Sequence, residues 1–217
     1  MDIEQARFNM IEQQIRPWDV LNTEVLDVIQ SVPREQFVPE EHKKLAFADL
    51  EIPIGHDQVM MSPKVEARIL QALQILPSDD VLEVGTGSGY LAACLAAMAS
   101  HVTTVEYHAD LSSSARQNCE QNNSTNIEFV VGNVFDQLSS LSTYDLIAVT
   151  ASVPEYTPQF AKHLNINGRL FIIVGQRPVM SAMLISCVAE NEYRQEILFE
   201  TEIPPLLTSS KEKVFSF

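Results

Sequence analysis

The sequence predicts a doubly wound α/β fold in which a mostly parallel sheet follows a helical N-terminal cap. A buried strand at residues 81–84 runs into a glycine-dense turn and then into an apolar helix. Strands and helices alternate from that point onward, which is typical of a parallel sheet. Residues 1–76 lack strand alternation, and their apolar positions recur with helical spacing. We therefore expect a single domain over residues 1–217, with the cap at 1–76 and a Rossmann-like core at 77–217.

The elements predicted for the cap are all helical. Their expected positions are residues 2–16, 24–30, 32–39, 40–46 and 64–76. Pro17 ends the first helix, and Ser62-Pro63 is typical of an N-cap followed by proline at the first helical position. Residues 52–63 contain glycine and prolines and are predicted to form a loop.

The core is predicted to contain five strands, connected mainly by helices, and a closing hairpin. The strands are expected at residues 81–84, 101–106, 127–131, 145–150 and 169–174. The helices are expected at residues 90–98, 110–122 and 158–164. Two further β-like runs, 182–188 and 194–202, have no obvious helix between them and predict the hairpin.

The glycine-dense turn is the first candidate for a ligand site. Gly85 and Gly87 allow unusual backbone angles and the close approach of a ligand, and Gly89 is expected to let the helix pack tightly on the strand. The spacing differs from G-x-G-x-x-G, because Tyr90 stands at the third glycine of a dinucleotide site. Glu83, just before the turn, would repel a phosphate and attract a cationic amine. Adenosine with an ammonium and a sulfonium describes S-adenosylmethionine, which is therefore the predicted cofactor.

Other candidates for this site lie at the ends of the next strands. Glu106 is placed where α/β folds hold ribose hydroxyls, against the alternative of a solvated carboxylate. Asn133 is either an adenine contact or a turn residue, and Thr150 either touches a ligand or caps its strand. The full set of predicted cofactor-binding residues is Glu83, Gly85, Thr86, Gly87, Ser88, Glu106, Asn133 and Thr150.

The loop at 52–63 carries a polar cluster of His56, Asp57 and Gln58. This cluster suggests acid–base chemistry or simply a solvent-facing loop. We expect no metal site, because the histidines show no ligand spacing along the chain. The sequence also lacks a G-x-S-x-G nucleophile elbow.

Composition narrows the expected partners and location. The net charge of −15 disfavours nucleic acid, since that binding depends on cationic neutralisation. The polar N-terminus does not resemble a signal peptide, and no apolar run is long enough to span a bilayer. The three cysteines have neither metal-binding nor redox spacing. We therefore expect a cytoplasmic protein without a membrane partner.

Segments along the whole chain match the pattern of one known family. They are residues 10–15, 32–39, 53–55, 82–90 and 144–151. On these residues the chain resembles the protein-L-isoaspartate O-methyltransferases. Many methyltransferases share the glycine loop, whereas Arg34-Glu35-Gln36-Phe37-Val38-Pro39 followed by Gly55 is much more specific. The resemblance implies a class I S-adenosylmethionine fold, with S-adenosylhomocysteine as product. It also implies methylation of the free carboxylate of isoaspartyl residues in damaged peptides or proteins.

The chain departs from this family in the loop that the resemblance assigns to the substrate. The family pattern after the glycine reads approximately Gly-x-Gly-Gln-Thr-Ile-Ser-x-Pro. Here the threonine is replaced by Val59, and the serine credited with a catalytic role is replaced by Met61. Ser62 follows one position later, so the candidates at the catalytic position are Val59, Met61 and Ser62. Asn133 also replaces an acidic residue of the family.

These departures leave three hypotheses. The first is carboxyl methylation of isoaspartyl peptides, where an acceptor already ionised near pH 7 needs positioning more than a base. The second is methyl transfer to a different and more hydrophobic acceptor, because Val59, Met60 and Met61 are expected to line the pocket. The third is a protein that binds the cofactor without catalysis.

Overall fold

The computed structural model describes residues 2–138 and 141–207. Within these ranges the strands are β1 Ile52–Gly55, β2 Gln58–Met60, β3 Asp80–Val84, β4 His101–Glu106, β5 Ile127–Val131, β6 Tyr144–Val153, β7 Leu164–Gln176, β8 Val179–Ala189 and β9 Glu192–Glu200. The α-helices are α1 Ile3–Met10, α2 Thr23–Ser31, α3 Pro63–Leu73, α4 Tyr90–Met98, α5 Ala109–Gln121 and α6 Val134–Gln137.

The main sheet has a switch point at its centre. Its strand order is β5-β4-β3-β6-β7-β8-β9. The five strands from β5 to β7 are parallel, and β8 is antiparallel to both of its neighbours. The chain moves outward from β3 to β5 and then returns beside β3 as β6. Ligands of such sheets bind beyond the carboxyl ends of the strands where this reversal occurs. The predicted mostly parallel, doubly wound fold and its closing hairpin, β8–β9, are confirmed.

Two apolar clusters fill the core. The sequences of β3 and α4 explain why these two elements are buried. Val81, Leu82 and Val84 of β3 are all buried, as expected for a parallel strand covered on both faces. Seven residues of helix α4 are buried. The helix is apolar on all sides, which is typical of a helix inside the core. One cluster contains residues of the cap, such as Met10 and Ile29, together with residues of the sheet.

The prediction of a loop at residues 52–63 was wrong, because β1 and β2 form a hairpin there. Ile52 pairs with Met60, and Gly55 pairs with Gln58. The turn residues His56 and Asp57 both have left-handed backbones, with φ of 53° and 56°. This is the backbone of a two-residue hairpin turn of type I′, whose twist matches the strands. Pro53 and the absence of an Asn-Gly or Gly-Gly pair concealed the hairpin in the sequence.

Two helix predictions also need correction, and one short helix was missed. The first helix ends at Met10 and continues as a π-helical segment, Ile11–Ile15, and a 3-10 turn, Arg16–Trp18, because Pro17 lacks the amide donor that a regular turn requires. The helix predicted at 158–164 is reduced to a 3-10 turn at Ala161–His163, since Leu164 already pairs with Tyr144 as the first residue of β7. The short helix α6 was not predicted.

Candidate functional site

The glycine loop lies at the switch point and has the backbone that its glycines predict. Gly85, Gly87 and Gly89 have φ of 100°, 54° and 84°. A Cβ at Gly85 would overlap the hydroxyl of Thr150, so this position tolerates no side chain. A Cβ at Gly89 would lie 3.0 Å from the Cβ of Ala115 on α5. The expectation that Gly89 packs on the strand was wrong, because the close neighbour is α5.

Thr150, at the switch point on β6, fastens that strand to the loop. Its Oγ1 lies 2.9 Å from the carbonyl oxygen of Val84 and 2.8 Å from that of Gly85. The hydroxyl shares its one proton between these two carbonyl oxygens, which joins β6 to the end of β3 and to the start of the loop. Of the two roles considered for Thr150, the structure shows the strand-end contact.

Glu106 supports the loop from the end of β4. The backbone N–H of Gly87 donates to its Oε2 over 2.9 Å, and the N–H of His108 donates to its Oε1 over 3.0 Å. Glu106 is buried and lines the pocket that the loop borders. Glu106 is therefore a structural anchor for Gly87, whatever else its carboxylate binds.

Glu83 is fully buried beneath the loop and is only partly satisfied. Thr104 donates its hydroxyl to Oε2 of Glu83 over 2.5 Å, and the hydroxyls of Thr104 and Thr86 lie 2.6 Å apart. The other carboxylate oxygen, Oε1, is buried without a hydrogen-bond partner among the residues that the structure describes. Burial raises the pKa of Glu83 to about 8, against the opposing effect of the Thr104 hydrogen bond. A cation beside Oε1 would relieve both the missing contact and the raised pKa.

Two adjoining cavities surround these groups. The larger lies between the hairpin and the sheet ends and is lined by Ile54, Gln58, Val59, Val84, Gly85, Gly87, Val105, Glu106, Tyr107, Leu111, Gly132, Val134, Thr150, Ala151, Leu206 and Leu207. The smaller reaches Glu83 and is lined by Val59, Met60, Met61, Glu66, Glu83, Gly85, Thr86, Gly87, Ser88, Leu91 and Thr150. Seven of the eight residues predicted to bind the cofactor thus line one cavity or both.

Asn133 is the exception. Its side chain caps α6, accepting a hydrogen bond from the N–H of Phe135 over 3.2 Å and donating to Asp136 over 3.2 Å. Its chain neighbours Gly132 and Val134 line the larger cavity, but Asn133 does not. The signal that identifies this role is the Asn-x-x-Asp spacing at a helix start, which is typical of an N-cap.

The three candidates for the catalytic position lie at different places. Val59 is half-buried on β2 and lines both cavities, and Met61 is 7% exposed and lines the smaller one. Ser62 is also 7% exposed, but it lines neither cavity and stands at the N-cap position of α3. The single-residue shift therefore separates the Ser62 hydroxyl from the site.

Arg34 holds the backbone of the segment that contains Met61. It is fully buried, donates from Nη2 to the carbonyl oxygen of Met61 over 2.6 Å and from Nε to that of Ala46 over 2.8 Å, and forms an ion pair with Glu66. Its guanidinium also lies 4.9 Å from the ring centre of Tyr90. Burial raises the pKa of Glu66 to about 7, although Arg34 opposes the rise. The sequence pointed to the Arg34 segment through resemblance alone and missed this contact.

A scan against protein-family models decides the family. The model described as "Protein-L-isoaspartate(D-aspartate) O-methyltransferase (PCMT)" matches residues 5–210. The chain belongs to the protein-L-isoaspartate O-methyltransferase family.

Individual members of this family are similar over most of their length. A protein-L-isoaspartate O-methyltransferase from Koribacter versatilis is 36% identical over 201 residues, which cover 93% of this chain and 90% of that protein. One from Picosynechococcus is 39% identical over 170 residues, covering 78% and 76%. The fold matches a PCMT crystal structure from Plasmodium falciparum in complex with S-adenosyl-L-homocysteine, with a TM-score of 0.82, 20% identity and coverage of 95% and 99%. The class I methyltransferase fold is therefore confirmed.

The part of the chain that the structure describes contains no helix that is both long and apolar enough to cross a membrane.

Proposed function

We propose that this protein transfers the methyl group of S-adenosylmethionine to the carboxylate of isoaspartyl residues in damaged peptides and proteins. The observation that carries the proposal is the extent of the family match, which runs from residue 5 to residue 210. It includes the cap and the hairpin, whereas a cofactor-binding core alone would be common to methyltransferases with many acceptors.

The cavities offer groups that suit the proposed cofactor. Oε1 of Glu83, which has no partner among the described residues, fits an ammonium group, because an ionised carboxylate in a buried site needs a cationic partner. Glu106 borders the larger cavity at the strand end where ribose hydroxyls are expected. We assign adenine to the wall formed by Gly132 and Val134, with Asn133 acting through its cap of α6. When bound, the cofactor supplies an electrophilic methyl group on a sulfonium.

The protein's own part in the reaction is to position the acceptor and exclude water. An isoaspartyl carboxylate is ionised near pH 7 and attacks the methyl carbon directly, so that a C–O bond forms as the C–S bond breaks. No proton needs to be removed from the nucleophile, which agrees with the mostly apolar side chains that line the larger cavity. Val59, Met60 and Met61 line the smaller cavity, and we assign them the exclusion of water from the transferred methyl group. We therefore assign Val59 and Met61 a packing role beside the reacting groups rather than a role in proton transfer.

A second candidate function is methyl transfer to a more hydrophobic acceptor. The observation that favours it is that Val59, Met60 and Met61 line one cavity where the family pattern has two hydroxyls. The hydroxyl of Ser62 does not replace them, because it lies outside both cavities.

The experiment that tests both uses tritiated S-adenosylmethionine. Two peptides of one sequence, one with isoaspartate and one with aspartate, are compared as acceptors. We expect base-labile label in the isoaspartyl peptide alone. Absence of label from a protein that binds S-adenosylhomocysteine by calorimetry would overturn the first proposal. Label in apolar products of a cell extract would then support the second.

We also propose a cytoplasmic location and a peptide or protein partner. Support comes from three buried, free cysteines, which suit a reducing compartment, and from the net charge of −15, which opposes binding to a phosphate backbone. Cell fractionation with a marker enzyme for each compartment tests the location.

A further inference from the structure

Two histidines and an aspartate meet at the rim of the larger cavity. His56 lies in the β1–β2 turn, whereas His108 and Asp110 lie at the start of α5. Nε2 of His56 is 2.7 Å from Oδ2 of Asp110, although the two residues are 54 positions apart in the chain. The rings of His56 and His108 stack with 3.9 Å between their centres and 13° between their planes. One nitrogen or oxygen atom from each of the three residues lies within 4.8 Å of the other two.

Hydrogen bonding within the described residues accounts for His56 and Asp110 but not for the ring of His108. Nε2 of His108 is buried and has no partner among the described residues, whereas buried imidazole nitrogens normally have one. The backbone N–H of His108 donates to Oε1 of Glu106, which fixes the backbone that carries this ring. The carboxyl of Asp110 is exposed, with 69% of its side chain accessible. The cluster thus combines a carboxylate with two imidazoles, one of which has a buried ring nitrogen without a partner among the described residues.

We propose that His56, His108 and Asp110 bind a divalent transition-metal cation such as Zn²⁺. Two imidazole nitrogens and one carboxylate oxygen suit zinc, cobalt, nickel or copper better than magnesium or calcium. Bonds of roughly 2.0–2.2 Å to the metal require the ligand atoms to lie roughly 3–3.5 Å apart. Metal bonds to imidazole lie in the ring plane, so His56 must rotate out of its stack on His108 and release Asp110 to bind the same cation. The side chains of His56 and Asp110 are 40% and 69% exposed, which leaves room for this rotation. The expectation of no metal site rested on spacing along the chain, which does not reveal a cluster built by the hairpin and α5.

The proposed site connects two segments that line the larger cavity. His56 is carried by the hairpin, which supplies Ile54, Gln58 and Val59 to one wall of the larger cavity. His108 and Asp110 border the segment that supplies Tyr107 and Leu111 to the facing wall. A cation bound to all three ligands would tie the two walls together across the cavity and slow the exchange of its occupant. This consequence rests on the proposed function, whereas binding of the cation does not.

Cobalt titration of the tag-free protein tests the cation site directly. The three cysteines are buried, so thiolate ligands will not dominate the visible absorption of Co²⁺. We expect one equivalent to bind, and we expect His56→Asn and Asp110→Asn each to weaken binding at least tenfold. Asparagine at position 56 accepts the left-handed backbone, so the turn is retained. The control is His42→Asn, which lies outside the cluster and should leave binding unchanged. No binding, or binding that neither variant weakens, would overturn the proposal.

A second measurement separates the site from its consequence. Release of S-adenosylhomocysteine is followed by stopped flow with and without Zn²⁺. We expect Zn²⁺ to slow release at least threefold in the original protein and to have no effect in His56→Asn. Cobalt binding with unchanged release would retain the site and reject its action on exchange. Failure to bind S-adenosylhomocysteine at all would count against the proposed function alone.

Discussion

The larger cavity has a hairpin wall, which contains Ile54, Gln58 and Val59, and a glycine-loop wall, which contains Gly85 and Gly87. These two walls are held in different ways. The glycine-loop wall is part of the seven-stranded sheet, and Thr150 and Glu106 bond its backbone directly. The hairpin wall is a separate two-stranded sheet, which would be marginal alone. Long-range side-chain contacts hold it, notably Arg34 to the Met61 carbonyl and His56 to Asp110. The difference shows how the hairpin side carries Val59 and Met61 without disturbing the sheet that forms the cofactor side.

Removing the buried cation that anchors the hairpin wall should have the largest effect. Arg34→Met leaves Glu66 without its ion-pair partner and the Met61 carbonyl without its donor, so we expect a loss of about 3–5 kcal/mol in the free energy of unfolding. The loss should grow as pH rises above about 7, where Glu66 ionises in the original protein. Without Arg34 the pKa of Glu66 lies higher, so the folded variant keeps a proton that its unfolded state has released. Urea unfolding across that pH range measures both effects.

Arg16→Met is the matched control for this change. Arg16 pairs with Glu12 at 2.7 Å, but both side chains are about 40% exposed, so the expected loss is below about 1 kcal/mol. Equal losses in the two variants would show that Arg34 is no special anchor.

The glycines of the two walls can be compared by the same substitution. Gly85 and Gly55 have φ of 100° and 97°, yet only a Cβ at Gly85 meets another group, the Thr150 hydroxyl. We expect Gly85→Ala to cost about 2–4 kcal/mol and Gly55→Ala about 1 kcal/mol, the cost of backbone strain alone. Thermal unfolding and calorimetric binding of S-adenosylhomocysteine provide the measurements. Partial recovery in Gly85→Ala with Thr150→Ala would confirm the overlap, and a cost as large at Gly55 would exclude it.

Glu83 tests the cofactor wall by its charge. We expect Glu83→Gln to weaken S-adenosylmethionine binding about tenfold or more, equivalent to about 1.4 kcal/mol. In the unsubstituted protein a bound ammonium favours the ionised carboxylate, so affinity should rise as pH approaches about 8 and level off above it. Glu83→Gln should remove this part of the pH dependence. Calorimetry in buffers of different ionisation enthalpy should also detect proton release in the original protein only.

The carboxyl of Glu83 should also make the folded protein less stable as pH rises, whereas cofactor affinity should increase. Its folded pKa, about 8, lies above the ordinary value of 4.5, so the folded state keeps a proton that the unfolded state loses first. Its contribution to stability is therefore fully present below about pH 4.5 and is lost as pH rises through 8. Glu83→Gln should raise the melting temperature relative to the original protein at pH 8.5 by roughly 2–4 °C for each kcal/mol gained. At acid pH the two proteins should melt alike, and a gain of equal size there would contradict the assignment.

The smallest expected effect concerns the hairpin wall and sharpens the acceptor question. Val59→Thr restores a hydroxyl at a half-buried position that lines both cavities, with little change in shape. We expect kcat on an isoaspartyl peptide to rise about three- to tenfold if that hydroxyl contacts the acceptor in the transition state. Val59→Ala removes both γ-methyl groups without adding a hydroxyl and serves as the control for added space. A gain in both variants would point to space rather than hydrogen bonding.

The sequence was a good guide where chemistry and neighbouring residues determine structure. The strand before Gly85, the left-handed glycines and the position of Thr150 at the switch point all follow from local pattern and chain order. The hairpin was missed because a turn made by His56 and Asp57 depends on two residues accepting positive φ, which composition signals weakly. The partners of Arg34 and the clustering of His108 with His56 depend on tertiary packing.

Within the site, too, the sequence identifies residue types but not their tertiary contacts. Glu83 and Glu106 both read as acidic residues at strand ends, and the sequence assigns both to the cofactor. In the structure Glu106 already accepts two backbone hydrogen bonds, whereas Glu83 retains an unpartnered oxygen among the described residues. Only the folded neighbourhood distinguishes a carboxylate that supports the loop from one that lines the smaller cavity.

The segment after β9 completes the larger cavity late in synthesis. Leu206 donates its N–H to Ser152 over 2.8 Å, the N–H of Ser152 donates to Pro204, and Leu206 and Leu207 line the cavity. During synthesis the glycine loop emerges more than a hundred residues before these two leucines. A growing chain can therefore form β3, β4 and the loop while the cavity still lacks part of its lining. High-affinity capture of the cofactor should report that synthesis has passed residue 207 and that this segment has docked beside β6.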